Sequence, residues 1–199
     1  MSRVAVVEDH TLLGESLRLA LTARGLEATR LPLERLGSLD SLLAALTADA
    51  GAAAFDVVLL DLDLADLGRG DDLVAPLTRS GAKVLVVTGD GSPERWVGCL
   101  DRGAVAVLPK STPLDQLVAA VGAASDGREV LARAEVDRLR QQAREAARER
   151  EARLAPFAVL SPRETEVLRA LAQGRHVAEI ASEAVVSEAT VRAQVRAVL

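Results

Sequence analysis

The sequence predicts an α/β protein whose first part is a five-stranded, doubly wound parallel sheet and whose last part is entirely helical. Short β-branched apolar runs alternate with helix-patterned stretches over the first 125 residues, and no such run follows them. The chain is 49% hydrophobic, yet it has no tyrosine, two phenylalanines and one tryptophan. A core of leucine, valine and alanine suits helices and buried parallel strands better than an aromatic-rich β-sandwich.

Four apolar runs predict strands at residues 3–7, 56–60, 83–87 and 104–108, and a less apolar segment at 26–31 is a candidate for a fifth. Helical spacing of apolar residues predicts the intervening helices, at residues 12–24, 39–50, 72–80, 93–102 and 113–125. A strand–helix unit repeated five times implies a parallel sheet with helices on both faces.

The rest of the chain predicts a linker helix and a compact helical domain. Residues 128–153 are rich in alanine, arginine, glutamate and glutamine, which favour a largely solvated helix. Ser161, Pro162 and Glu164 have the spacing of a capping box with proline at the first helical position, and Gly174 is placed to end that helix.

Two further helices are expected at 177–184 and 188–199, the last capped by Ser187. Two short helices joined by a tight turn after a supporting helix describe a helix-turn-helix. We therefore expect three regions, at residues 1–126, 127–156 and 157–199.

Charge and cysteine content narrow the function classes. The net charge of −5 is concentrated in the first 126 residues, which suits a metal or phosphate site better than a nucleic-acid surface. Cys99 is the only cysteine, so an internal disulfide is excluded and a reducing compartment is expected. No apolar run approaches the roughly 20 residues that span a bilayer, and strand-like sequence begins at once, so we expect a cytoplasmic protein without a membrane partner.

Four of the five predicted strands end in polar or ionisable side chains, which parallel strands bring to one edge of the sheet. These residues are Glu8 and Asp9, Asp61, Thr88 and Lys110. Three clustered carboxylates favour a divalent cation, and oxygen ligands alone favour Mg²⁺. One carboxylate could then attack a phosphodonor to form an acyl phosphate, with the lysine and threonine bound to the phosphoryl oxygens.

Residues 3–125 resemble the receiver domains of two-component response regulators, which have a flavodoxin-like fold. The matching segments are VVEDH, VVLLDLDL, VVTG and VLPKS, in that order. The resemblance implies that Asp61 is the phosphoacceptor, that Thr88 is the switch hydroxyl and that Lys110 binds the phosphoryl group. It also implies a Mg²⁺ site formed by Glu8, Asp9, Asp61 and the backbone carbonyl of Asp63.

Two positions depart from the receiver pattern. Val107 stands where these domains usually carry tyrosine or phenylalanine, so an aromatic rotamer switch is not expected here. Ala65 stands where a proline commonly follows the acceptor by four residues.

The segment LSPRETEVLRALAQGRHVAEIASEAVVSEATVRAQV resembles the LuxR-type DNA-binding domain of NarL/FixJ-subfamily regulators. The resemblance implies that the third helix enters the major groove of DNA, with Val191 and Val195 in the core. Arg192, Ala193 and Arg196 are then expected DNA contacts, with Gln194 on the same exposed side. Because the family domain continues into a fourth helix, the domain is expected to be incomplete at its C-terminus.

Together these resemblances imply a response regulator that is not an enzyme, with Mg²⁺ as cofactor and DNA and a sensor histidine kinase as partners. A homodimer is expected on activation. One alternative is a degenerate receiver that regulates without phosphorylation. A haloacid-dehalogenase-like phosphatase, suggested by Asp61 and Asp63 in a DxD pattern, and a protein-interaction module are the others.

Overall fold

The computed structural model describes residues 2–47, 53–158, 160–183 and 186–198. Contacts within the chain divide it into two compact units, Met1–Arg144 and Glu145–Leu199.

The first unit contains a five-stranded parallel sheet with strand order β2-β1-β3-β4-β5. Its strands are β1 (Arg3–Val7), β2 (Glu27–Arg30), β3 (Val57–Leu60), β4 (Lys83–Thr88) and β5 (Ala106–Pro109). The chain moves from β1 outward to β2 and then returns to add β3 on the other side. The carboxyl ends of β1 and β3 are therefore neighbours at the point where the strand order reverses, which is where ligands bind in open α/β sheets.

Nine helices occur within the described residues. They are α1 (Thr11–Ala23), α2 (Leu39–Leu46), α3 (Asp71–Ser80), α4 (Pro93–Asp101), α5 (Leu114–Ser125), α6 (Arg133–Ala158), α7 (Pro162–Ala172), α8 (Val177–Glu183) and α9 (Glu188–Val198). The predicted fold class is confirmed. Helix α2 is shorter than predicted because Thr47 has an extended backbone and pairs with Ala53; residues 48–50 lie outside the described residues.

Alternate residues of the strands face opposite sides of the sheet, and both sides are buried. One core packs strand residues such as Val58 and Val86 against α2, α3 and α4, and includes Cys99. The other packs residues such as Val57 and Leu85 against α1 and α5. Burial raises the pKa of the Cys99 thiol to about 11, so this side chain serves as a small apolar core residue, as the sequence indicated.

The second unit holds α7, α8 and α9 around a small core centred on Val167, Ile180 and Val191. Ser161 and Glu164 form the predicted capping box at the start of α7. The helix ends at a left-handed glycine, Gly174, in a Schellman pattern that satisfies the last carbonyls. None of the helices in the described part of the chain is long and apolar enough to cross a bilayer.

Candidate functional site

Two buried carboxylates at the ends of β1 and β3 share one lysine. Glu8 and Asp61 are each 2% exposed. Lys110, which follows β5, donates from Nζ to Asp61 Oδ2 at 2.7 Å and to Glu8 Oε1 at 2.8 Å. The sheet therefore brings together three of the residues that the sequence placed at its edge.

Burial shifts the pKa values of Glu8, Asp61 and Lys110. It raises the pKa of both Asp61 and Glu8, and the hydrogen bonds from Lys110 only partly oppose it. Burial alone would lower the pKa of Lys110, but the two carboxylates outweigh it and raise the pKa of the ammonium. Lys110 is thus held as a cation between two acids that burial makes reluctant to ionise.

Asp9 and His10 extend the acidic cluster toward solvent. His10 Nδ1 lies 2.8 Å from Asp9 Oδ1 and 3.1 Å from Glu8 Oε1. Burial would raise the pKa of Asp9, but its hydrogen bonds with Glu8 and His10 lower it overall. One ligand atom from each of Glu8, Asp9 and His10 lies within 4.8 Å of the others. Two of these three atoms are carboxylate oxygens, the donor type that Mg²⁺ prefers, so Glu8 and Asp9 fit the expected cation.

Backbone contacts hold the loop after β3 against Asp61. The N–H of Asp63 donates to Asp61 Oδ1 at 3.3 Å, while the Asp63 side chain is exposed. Gly70 packs so closely that an added Cβ would lie 2.1 Å from the carbonyl oxygen of Asp61. Ala65 has a φ of 49°, a left-handed backbone that proline cannot adopt. A proline at this position would therefore be incompatible with the observed backbone.

Thr88 ends β4 and is 1% exposed. Its hydroxyl oxygen accepts a hydrogen bond from the N–H of Asp90 at 3.0 Å, and its carbonyl accepts one from the N–H of Lys110 at 2.8 Å. Val107 in β5 is buried in the core between the sheet and α2, α3 and α4, and its side chain has no polar atom. The Thr88 hydroxyl is therefore bound to its own loop.

An arginine network beside this site was missed by sequence reasoning. Arg95 of α4 contacts Asp63, Asp71 and Asp90. Asp71 is buried, and burial would raise its pKa. Hydrogen bonds from Arg69 and Arg95 outweigh this effect and lower the pKa of Asp71 to about 2. Asp63 and Asp71 are distant from Arg95 in sequence, and a single arginine near a helix start is usually a solvated residue. No pattern in the sequence signals the network.

Four residues of α9 are predicted DNA contacts. The structure describes the side chains of two of them, and both lie on the exposed face of the helix. Arg192 and Ala193 are exposed, and Arg192 pairs with Glu188 at 3.2 Å on the helix surface. The side chains of Gln194 and Arg196 lie outside the described residues. Val191 is fully buried and Val195 packs against the same core, as predicted.

Comparison with known proteins gives matches over most of the chain. Residues 4–122 match the response regulator receiver domain, and residues 158–199 match the luxR family of bacterial regulatory proteins. The nitrate/nitrite response regulator NarP of Escherichia coli is 30% identical over 200 residues, covering 99% of this chain and 86% of NarP. The probable transcriptional regulatory protein NarL of Mycobacterium tuberculosis is 32% identical over 204 residues, covering 98% and 84%.

Among solved structures, a CheY-like receiver domain protein from Methanospirillum hungatei matches with a TM-score of 0.54 at 26% identity. The match covers 64% of this chain and 95% of that one. The parallel sheet, with acids, a threonine and a lysine at its edge, defines a receiver domain.

The chain belongs to the response regulators that join a receiver domain to a LuxR-type DNA-binding domain, a family of transcription regulators controlled by phosphorylation. The predicted family and function are thereby confirmed.

Proposed function

We propose that Asp61 is the residue that accepts the phosphoryl group. The observation that carries this proposal is the position of Lys110, whose ammonium lies 2.7 Å from Asp61 Oδ2 inside a buried acidic site. A cation held there is placed to bind phosphoryl oxygens once they are attached to Asp61. The donor is a cognate sensor histidine kinase.

In the transfer, a carboxylate oxygen of Asp61 forms a bond to phosphorus. The bond between phosphorus and the donor breaks, and the leaving group keeps the electron pair. Lys110 and the hydroxyl of Thr88 bind the transferred oxygens, since Lys110 Nζ lies 2.7 Å from Asp61 and Thr88 ends β4, the strand beside β3.

Mg²⁺ would be held by Glu8, Asp9, Asp61 and the backbone carbonyl of Asp63, with Asp9 the direct carboxylate ligand from β1. When bound, it supplies positive charge that offsets repulsion between these acids and the incoming phosphoryl oxygens. The assignment is supported by the carboxylate oxygens of Glu8 and of the partly exposed Asp9, which lie within 4.8 Å of each other.

The test is intact-mass analysis of the full chain after incubation with acetyl phosphate and Mg²⁺. We expect a mass gain of one phosphoryl group, lost in Asp61→Asn and without Mg²⁺. Asp66→Asn is the matched control, because Asp66 is an exposed acid of the same loop and should leave the gain unchanged.

Each other outcome has a definite meaning. No mass gain in a folded sample would favour a regulator that works without phosphorylation. Steady turnover of a phosphomonoester, many turnovers per chain, would point to a phosphatase and contradict the assignment of a response regulator.

We further propose that α9 binds DNA through Arg192, Ala193, Gln194 and Arg196, in a cytoplasmic regulator that dimerises on activation. The domain limits 1–126, 127–156 and 157–199 belong to this proposal. The exposed arginine on α9 supports it, because arginine pairs with guanine edges and with phosphates.

A further inference from the structure

Arg95 lies in the first turn of α4, with its side chain only 14% exposed. Its two terminal nitrogens donate four hydrogen bonds. Nη1 bonds Asp63 Oδ1 and Asp90 Oδ2, both at 3.0 Å; Nη2 bonds the carbonyl of Leu62 at 2.9 Å and Asp71 Oδ1 at 3.2 Å.

These contacts join two loops that are separate in sequence. Leu62 and Asp63 directly follow the proposed acceptor Asp61, in the loop after β3. Asp90 lies two residues beyond Thr88, in the loop after β4. A single guanidinium therefore holds the acceptor loop, 61–71, to the switch loop, 88–92.

Asp90 fixes the switch loop in place, because every polar group of this residue takes part in a hydrogen bond. Its N–H donates to the Thr88 hydroxyl, and its carbonyl accepts from the indole N–H of Trp96 at 2.6 Å. Its carboxylate accepts from Arg95 and from the N–H of Ser92. Turning the Thr88 hydroxyl toward a phosphoryl group thus means breaking its bond with Asp90, which Arg95 and Trp96 hold in place.

The chemistry of the contact requires arginine. The planar fork reaches three carboxylates and a carbonyl with two nitrogens, which the point charge of a lysine cannot reproduce. The pairing is also not a solvated surface contact, because Asp71 is buried and Arg95 is only partly exposed, and such pairs are little screened.

We propose that Arg95 is a positioning residue that couples the acceptor loop to the switch loop, so that order in one loop depends on order in the other. Trp96, the only tryptophan in a chain without tyrosine, reports the state of that coupling. The proposal rests on the proposed function of Asp61 for its biological meaning. With Val107 in place of an aromatic residue, α4 supplies the link that the β5 side chain does not.

The test is hydrogen–deuterium exchange on the full chain, in segments 61–71 and 88–96. The variants are Arg95→Gln, Arg95→Lys, Asp63→Ala and the double variant Asp63→Ala/Arg95→Gln. Arg79→Gln is the matched control, because Arg79 is an exposed arginine of the neighbouring helix α3. Phosphoryl uptake is measured by intact mass on the same samples, with Trp96 emission recorded in parallel.

Arg95→Gln should speed exchange about tenfold in both segments, as expected for lost hydrogen bonds to charged groups. Arg95→Lys should recover little of this protection. Asp63→Ala should speed exchange in 88–96 only when Arg95 is present. After phosphorylation, 88–96 and Trp96 should respond in wild type and fail to respond in Arg95→Gln, even where Asp61 is labelled.

The proposed coupling is wrong if segment 61–71 exchanges no faster in Arg95→Gln than in Arg79→Gln. It is also wrong if Asp63→Ala changes the exchange rate of segment 88–96 equally in chains with Arg95 and with Arg95→Gln. It is also wrong if a labelled Arg95→Gln variant shows the wild-type response at Trp96. Absence of phosphoryl uptake by wild type would overturn the proposed role of Asp61 instead, and the exchange comparison without phosphodonor would still decide the coupling.

Discussion

At the scale of single residues, the site depends on one cation among acids. Lys110 is the only group within hydrogen-bonding distance of both Glu8 and Asp61 among the described residues. Without it, two buried carboxyls would lose their charged partner, and burial would dominate their proton affinity.

We expect Lys110→Met to lower the free energy of unfolding, and to lower it more at pH 7 than at pH 5. The folded pKa values of Glu8 and Asp61 are already raised by burial, and losing the ammonium raises them further. The folded variant therefore binds more protons than the unfolded chain, and its stability falls as pH rises. Urea unfolding of wild type and variant at the two pH values measures this effect. At pH 7 we expect the free energy of unfolding of the variant to be lower than that of wild type by about 2 kcal/mol.

Lys83 is the only other lysine, and it provides the control. Its Nζ donates to the carbonyl of Ala124 and contacts no carboxylate among the described residues. Lys83→Met should lose the same stability at both pH values. Equal pH dependence of the two variants would contradict the assigned role of Lys110.

At the scale of elements, the loop between β3 and α3 has a backbone specific to this chain. It holds a 3-10 turn, Ala65–Leu67, that starts with a positive φ and is followed by Gly68 at a φ of 104°. A left-handed conformation at a residue with a side chain costs about 1 kcal/mol, which the surrounding contacts must offset.

We expect Ala65→Pro to lower the free energy of unfolding by about 2 kcal/mol, because the proline ring fixes φ near −65°. Ala65→Gly should leave stability unchanged or raise it by up to about 1 kcal/mol, since glycine adopts this backbone without strain. Chemical denaturation of the three proteins measures both effects. A proline variant as stable as wild type would show that the loop does not need the left-handed residue.

The elements that sequence patterns predicted well are those formed by local rules. Strands β1, β3 and β4 follow from apolar runs, and α7 from a capping box, so their limits fall within a residue or two of expectation. Helix α2 was predicted too long because Thr47 leaves the helix to pair with Ala53. The Arg95 network was not predicted, since it depends on side chains 24 to 33 residues apart that only the folded sheet brings together.

At the scale of the whole molecule, the acidic charge lies in the receiver, and the proposed DNA contacts on α9 include only two cations, Arg192 and Arg196. Affinity for DNA from so few contacts should depend strongly on ionic strength, because each phosphate contact releases counterions.

We expect the logarithm of the DNA association constant to fall linearly with the logarithm of salt concentration, by about 0.9 per phosphate contact. Arg192→Ala should reduce that slope by about 1 if Arg192 contacts phosphate, or relax base preference if it contacts a base. Fluorescence anisotropy with labelled duplexes at several salt concentrations measures both. Arg148→Ala on α6 is the control, and a change as large as that of Arg192→Ala would contradict the placement of the DNA contact on α9.

The order of elements along the chain also has a consequence for biosynthesis. Every strand of the sheet precedes Lys110, and α5, which covers one of its faces, ends at Ser125. A ribosome adds about 5–20 residues per second, so this part of the chain emerges several seconds before α7 to α9 are complete. The acceptor site can therefore assemble on the nascent polypeptide while the helices that meet DNA do not yet exist.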